Sequence, residues 1–195
     1  MIAAFILLLV AVAWRVVLGW GHQADFGWLH NFTPLAAIAL CGAMHLPRRL
    51  AFGVPLIALL ISDVILNQHY GASLLGVEML TRYAVLAGVA GMGWWLRKHP
   101  QAALVLGCSA LGSIAFYFVT NTASWIDNPA YAKTFAGWAQ ALTGGVDGYP
   151  DTTVFFRNSL ISDVLFTALF LAAMNVSRRS EKAPFSTTAE PARWA

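Results

Sequence analysis

Two carboxylates stand inside long apolar runs. Asp63 lies in Ile61-Ser62-Asp63-Val64 and Asp163 in Ile161-Ser162-Asp163-Val164, the same four residue types repeated later in the chain. An ionised side chain at the centre of a membrane span costs roughly 2.5–3.5 kcal/mol on insertion scales, so such a residue faces a bundle interior or a polar cavity. Other polar groups flank or interrupt the apolar runs: His30, Arg82 with Tyr83, Asn121 with Trp125, and Arg157 with Asn158. Carboxylates, guanidiniums and amides orient a small molecule through charge-assisted hydrogen bonds, and aromatic rings give it a stacking surface. The expected substrate-binding group is therefore His30, Asp63, Arg82, Tyr83, Asn121, Trp125, Arg157 and Asp163.

The same inventory argues against catalysis. The chain holds no G-x-S-x-G, no H-E-x-x-H and no P-loop, so it is read as a non-enzyme that does not itself hydrolyse ATP. His22 and His30 precede one apolar run without a third ligand at metal spacing. Cys41 and Cys108 lie in separate apolar runs among small residues, where free cysteine packs as a small hydrophobe. No metal and no cofactor is expected.

What must position the polar group is a membrane bundle. Of 195 residues, 58% are hydrophobic and only 11% charged, against about 25% charged in soluble domains. The net charge of +3 comes from short basic clusters between apolar runs. That is a topology signal and not the basic face that nucleic-acid binding requires. The length suits one bundle: a six-helix transmembrane domain over 1–176, then a polar cytoplasmic tail over 177–195 expected to be disordered.

The apolar runs predict the spans. Span one is Ile2–Trp20, interrupted by Arg15. Ala11-Val12-Ala13 resembles a signal-peptidase site, but no Lys or Arg precedes the run and the run continues, so an uncleaved span is expected. A short polar loop with His22, Asp25, Trp28 and His30 follows. Span two, Phe32–Leu46, opens at Thr33-Pro34 and is short for a crossing; tilt, extension back through Trp28 or a re-entrant path would each accommodate it. Span three is Leu50–Leu66, with a kink expected at Pro55. Span four is Glu78–Leu96, span five Gln101–Val119 and span six Phe155–Val176. Ala39 and Ala43, Ala84 and Gly88, and Ala87 and Gly91 form small-residue faces suited to close helix contact. In the longest connection, Phe135, Trp138 and Leu142 recur at helical spacing, as in a helix lying along the interface.

Arg48/Arg49, Arg97/Lys98 and Arg178/Arg179/Lys182 follow spans two, four and six. The positive-inside rule puts these in the cytoplasm, together with both termini. Every member of the polar group then falls toward the outer side, which predicts one outward-facing pocket. A structural reading stands beside this one. Asp63 with Arg15, and Asp163 with Arg157, would neutralise each other and staple helices. Arg82 and Arg157 would snorkel to headgroups, and the tryptophans would form an interface belt.

Asn31-Phe32-Thr33-Pro34-Leu35-Ala36-Ala37-Ile38-Ala39-Leu40 resembles the opening signature of an uncharacterised bacterial family assigned a transport role. Pro55 with Ile61-Ser62-Asp63, Phe118-Val119-Thr120-Asn121 with Trp125, Tyr149-Pro150 and Phe155-Phe156-Arg157-Asn158 continue in that family's order. The layout is similar to the substrate-binding S components of energy-coupling factor vitamin transporters. This resemblance implies an all-α integral membrane protein of the bacterial inner membrane, an S-component-like bundle of six transmembrane helices. It implies uptake of a vitamin-like substrate, either alone or with an energy-coupling transmembrane subunit and its ATPases. The solitary cobalamin S component has a His, Asp, Tyr, Arg order that His30, Asp63, Tyr83 and Arg157 match. Its cobalt-ligating cysteine has no counterpart between Asp63 and Tyr83, where His69 is the alternative ligand. A non-transporting scaffold or assembly protein is the reading from another class. It requires the charges to pair internally and leave no ligand-sized void.

Overall fold

The computed structural model describes residues 2–20, 29–71 and 76–182, with side chains as far as Ser177. His22, Asp25 and Trp28, the tail beyond Lys182 and the side chains of Arg178, Arg179 and Lys182 lie outside the described residues. Among those described there are seven helices and no strand: α1 (Ile2–Trp20), α2 (Leu35–His45), α3 (Gly53–Tyr70), α4 (Val77–Leu96), α5 (Ala102–Asp127), α6 (Phe135–Leu142) and α7 (Thr152–Lys182). Three of these described helices are long and apolar enough to cross a membrane: α1, α5 and the Thr152–Ser177 stretch of α7. The described part of the chain is therefore all-helical and of membrane type.

The bundle is organised around its shortest long-buried element. Helix α2 has 11 residues, which at about 1.5 Å per residue is roughly half the thickness of a bilayer core. Every residue from Leu35 to Met44 is buried, and α2 touches α1, α3, α4, α5 and α7. A helix that is apolar all round belongs in such a place. The sequence-predicted span began at Phe32, but the backbone over 32–34 is not helical. Pro34 has φ −85° and ψ 59°, outside the helical region, and it carries no N–H to offer a preceding turn.

A half-length helix inside a bundle leaves both ends short of partners. Neighbouring helices supply them. At the N-terminus the Ala37 N–H donates to Asp163 Oδ1 of α7 at 2.9 Å. At the C-terminus Arg97, just beyond α4, donates from Nε to Ala43 O at 2.8 Å and from Nη2 to Leu46 O at 2.5 Å. A carboxylate at the positive end and a guanidinium at the negative end both complement the helix dipole. Arg97 also lies 4.7 Å from the Trp94 ring centroid.

Close packing sets where α2 meets its neighbours. A Cβ added at Gly93 would lie 2.2 Å from Leu40 O, so only glycine lets α4 approach the α2 backbone this closely. At Gly42 it would lie 2.4 Å from Pro55 Cγ. The small-residue faces behave unevenly. Ala39 and Ala43 are fully buried in α2, whereas a Cβ at Gly88 or Gly91 would meet nothing within 4 Å. Ala84, Ala87 and Gly88 instead form an exposed face of α4.

Other boundaries moved for local reasons. Helix α3 starts at Gly53 and not at Leu50, so Pro55 falls in its first turn. A missing N–H is harmless there, and the expected kink has no cause. Helix α7 continues past Val176 to Lys182. Helix α6 takes up the Phe135–Leu142 periodicity. Thr134 caps it by accepting from the Gly137 N–H at 3.2 Å, and Tyr117 of α5 donates to Leu142 O.

Candidate functional site

The C-terminal halves of α1 and α3 meet the N-terminal parts of α4 and α7 at one end of the bundle. Asp63 is the convergence point and is 1% exposed. Arg15 of α1 donates from Nη2 to Asp63 Oδ1 at 2.5 Å. Arg82 of α4 donates from Nη1 to the same oxygen at 2.9 Å. Tyr83 donates its hydroxyl to Oδ2 at 2.6 Å. Arg15 also donates from Nη1 to Ser62 Oγ, which in turn donates to Leu59 O at 2.7 Å. Three helices are thus tied through one carboxylate, and each ionic bond is charge-assisted.

This cluster forms one wall of a cavity of about 440 Å³, within the size range of small-molecule sites. Asp63, Arg15 and Arg82 supply its charges, and Asn67 and Tyr70 of α3 add polar surface. The Tyr70 hydroxyl donates to Gly19 O, closing α3 onto α1. His30 and Phe155 give an aromatic side, their ring centroids 6.0 Å apart in an edge-on arrangement.

The segment before α2 is held against α7. Asn158 Nδ2 donates to His30 O at 2.8 Å and Asn31 Nδ2 to Ser159 Oγ at 2.8 Å. Asn31 adopts φ 58°, a left-handed conformation that asparagine tolerates better than most residues. Thr33 and Pro34 are buried, and Asn31 and Thr33 line the cavity.

The second Ile-Ser-Asp-Val copy does something different. Asp163 is 2% exposed, and besides capping α2 it accepts from Ser113 of α5 at 2.6 Å. No arginine reaches it among the described residues. It borders a separate cavity of about 150 Å³, together with Asn121. Asn31 and Phe155 line both cavities and form the partition between them. Ser162, the counterpart of Ser62, is buried without a hydrogen-bond partner for its hydroxyl among the described residues.

The single pocket expected from the sequence is therefore divided. His30, Asp63 and Arg82 line the larger cavity, with Tyr83 bonded to Asp63 behind it. Asn121 and Asp163 line the smaller one. Trp125 and Arg157 line neither. Trp125 donates to Ala132 O at 2.9 Å, fastening the end of α5 to the following loop. Arg157 is exposed and donates to Asn158 Oδ1 at 3.2 Å, on the far side of the residue that holds His30. Of the two ion pairs in the structural reading, Asp63–Arg15 forms; Asp163–Arg157 does not, among the described residues, because Asp163 turns inward to α2 and α5. Arg15 belongs to the site and stood outside the expected group; its signal was a lone guanidinium in the apolar span one. Tyr70 is a second addition, and lay past the expected end of span three.

Comparison with curated proteins and with solved structures finds no match. A family does match over residues 1–185, nearly the whole chain, and it is described as a family of unknown function. The chain belongs to that family, DUF6580.

Proposed function

We propose that this protein is an uptake protein of the bacterial inner membrane that captures a vitamin- or cofactor-like small molecule in the Asp63 cavity. The observation that carries this reading is a ligand-sized void of about 440 Å³ built around intramembrane charges. Charges placed in a span are costly, and a polar cavity is the setting in which they are useful.

In this reading the bundle crosses six times. Helices α3 and α4 have 18 and 20 residues, enough in length for a span of about 30 Å. Their apolar windows are interrupted by Asp63, Asn67 and Arg82, which line the cavity. Helix α2 and the buried segment before it complete the count. Arg48/Arg49 and Arg97/Lys98 belong to the opposite end of the bundle from Asp63. With those pairs cytoplasmic, both termini are inside and the cavity opens outward.

Transport follows by tilting of the bundle or by a partner's movement, as the S-component resemblance implies. The exposed Ala84, Ala87 and Gly88 face of α4 suits contact with an energy-coupling subunit and its ATPases. Ala39 and Ala43 do not, being enclosed within the bundle. The chain's own role is binding without catalysis.

One observation favours the scaffold reading: Asp63 and Asp163 both end in internal hydrogen bonds. The void beside Asp63 weighs against it. Thermal shift of the detergent-purified protein across a panel of vitamins and cofactor precursors separates the two. A saturable shift lost in Arg82→Gln supports uptake; no shift from any compound moves the reading to a scaffold.

A further inference from the structure

Among the described residues that line the larger cavity, the charges do not balance. One carboxylate, Asp63, holds two guanidiniums, those of Arg15 and Arg82. Among the described residues that line the cavity, these three carry all the formal charge of aspartate, glutamate, lysine and arginine, leaving an excess of one positive charge. The two arginines are not equivalent. Arg15 has a side chain 6% exposed and is spent on Asp63 and Ser62. Arg82 has a side chain 29% exposed and contributes a single nitrogen to Asp63. Its other N–H groups make no further bond among the described residues.

A guanidinium held at one corner and open at the other presents a fixed fork of donors. That fork matches the two oxygens of a carboxylate or phosphate. The low dielectric around a buried site strengthens its attraction for an anion and its rejection of a cation.

A second electropositive feature near the cavity is already occupied. The α2 N-terminus is a natural anion site, but the Asp163 carboxylate fills it from within the protein. Among the described residues the excess positive charge therefore sits at Arg82. We infer that the cavity selects a small organic oxyanion, a carboxylate or phosphate ester, which Arg82 binds while His30 and Phe155 face its apolar body. This rests on the uptake reading and narrows the substrate class.

Matched probes test it: benzoate against benzamide, and phenyl phosphate against benzylamine, by thermal shift and calorimetry in detergent. A lipid headgroup carries the same oxyanion, so a second arm compares phosphatidylglycerol with phosphatidylcholine vesicles. Benzoate or phenyl phosphate should bind about tenfold or more tightly than benzamide, with benzylamine weaker still, and Arg82→Gln should remove the preference while the melt stays cooperative. An Arg82-dependent effect of phosphatidylglycerol alone would keep the oxyanion site, assign it to lipid and end the uptake reading. Benzamide or benzylamine binding as well as the acids would overturn the oxyanion inference and leave uptake standing. No shift from any oxyanion, in detergent or in anionic vesicles, would overturn the inference as well.

Discussion

Arg82 Nη1 lies 2.9 Å from Asp63 Oδ1, the oxygen that Arg15 Nη2 reaches at 2.5 Å. One carboxylate is thereby shared by two guanidiniums from helices on either side of α3. The pairing ties α1, α3 and α4 at the cavity, and among the described residues it leaves the Arg82 guanidinium only partly satisfied.

Removing Asp63 should be severe. Asp63→Ala leaves the buried Arg15 guanidinium without a counter-charge, and breaking a buried pair in this way costs about 3–5 kcal/mol. Asp63→Asn keeps an acceptor for Tyr83 and should fall between Ala and wild type. Thermal melts in detergent rank the three proteins. A melt for Asp63→Ala equal to wild type would contradict the buried pairing.

Asp163 should behave as a cap and not as a ligand group. Asp163→Ala strands the Ala37 N–H, at about 1–3 kcal/mol for a buried group left unsatisfied, while the Ser113 hydroxyl keeps the Ser109 carbonyl as an acceptor at 3.2 Å. Asp163→Asn retains an acceptor for Ala37 and should recover part of that loss. Hydrogen exchange should speed at the start of α2 in Asp163→Ala, with any binding preference among ligands unchanged.

The other end of α2 makes a matching prediction. Arg97→Gln removes the donors to Ala43 O and Leu46 O and should lower stability by about 1–3 kcal/mol. Arg97→Lys should restore part of it, because an ammonium lacks the fork that reaches two carbonyls. If Gln and wild type melt together, the cap contributes nothing.

Gly93 and Gly88 form a paired test of the α2–α4 contact. Gly93→Ala drives a Cβ into the Leu40 backbone and should cost about 1–3 kcal/mol or more through overpacking. Gly88→Ala meets open space and should be neutral or stabilising by about 0.5–1 kcal/mol, since alanine is the better helix former. Reversal of that order in thermal melts would contradict the packing described here.

Much of the fold could be read from apolar runs alone: α1 spans Ile2–Trp20 as expected, and α4 begins within a residue of the expected start. Helix α2 was less legible, because its start depends on Asp163, which is far along the chain. Its N-terminal N–H groups have no local cap, and nothing in residues 31–37 announces a partner on α7. The candidate site was partly legible for a similar reason. Asp63 and Asp163 have the same local sequence, yet their chemistry is set by neighbours. Arginines from α1 and α4 surround one, while an amide N–H of α2 and a hydroxyl of α5 satisfy the other. Arg97 read as a topology signal and proved to be a helix cap as well, since one guanidinium can reach backbone carbonyls while lying at a bundle end.

The most direct test of the capture claim is native mass spectrometry of the detergent-purified protein before any ligand is added, with Arg82→Gln alongside. The expected result is a small-molecule mass on the wild-type protein that is lost in Arg82→Gln while both proteins melt cooperatively. A ligand-free mass for the wild type, with no thermal shift across a vitamin panel, would contradict it and leave the Asp63 cluster as a staple between helices.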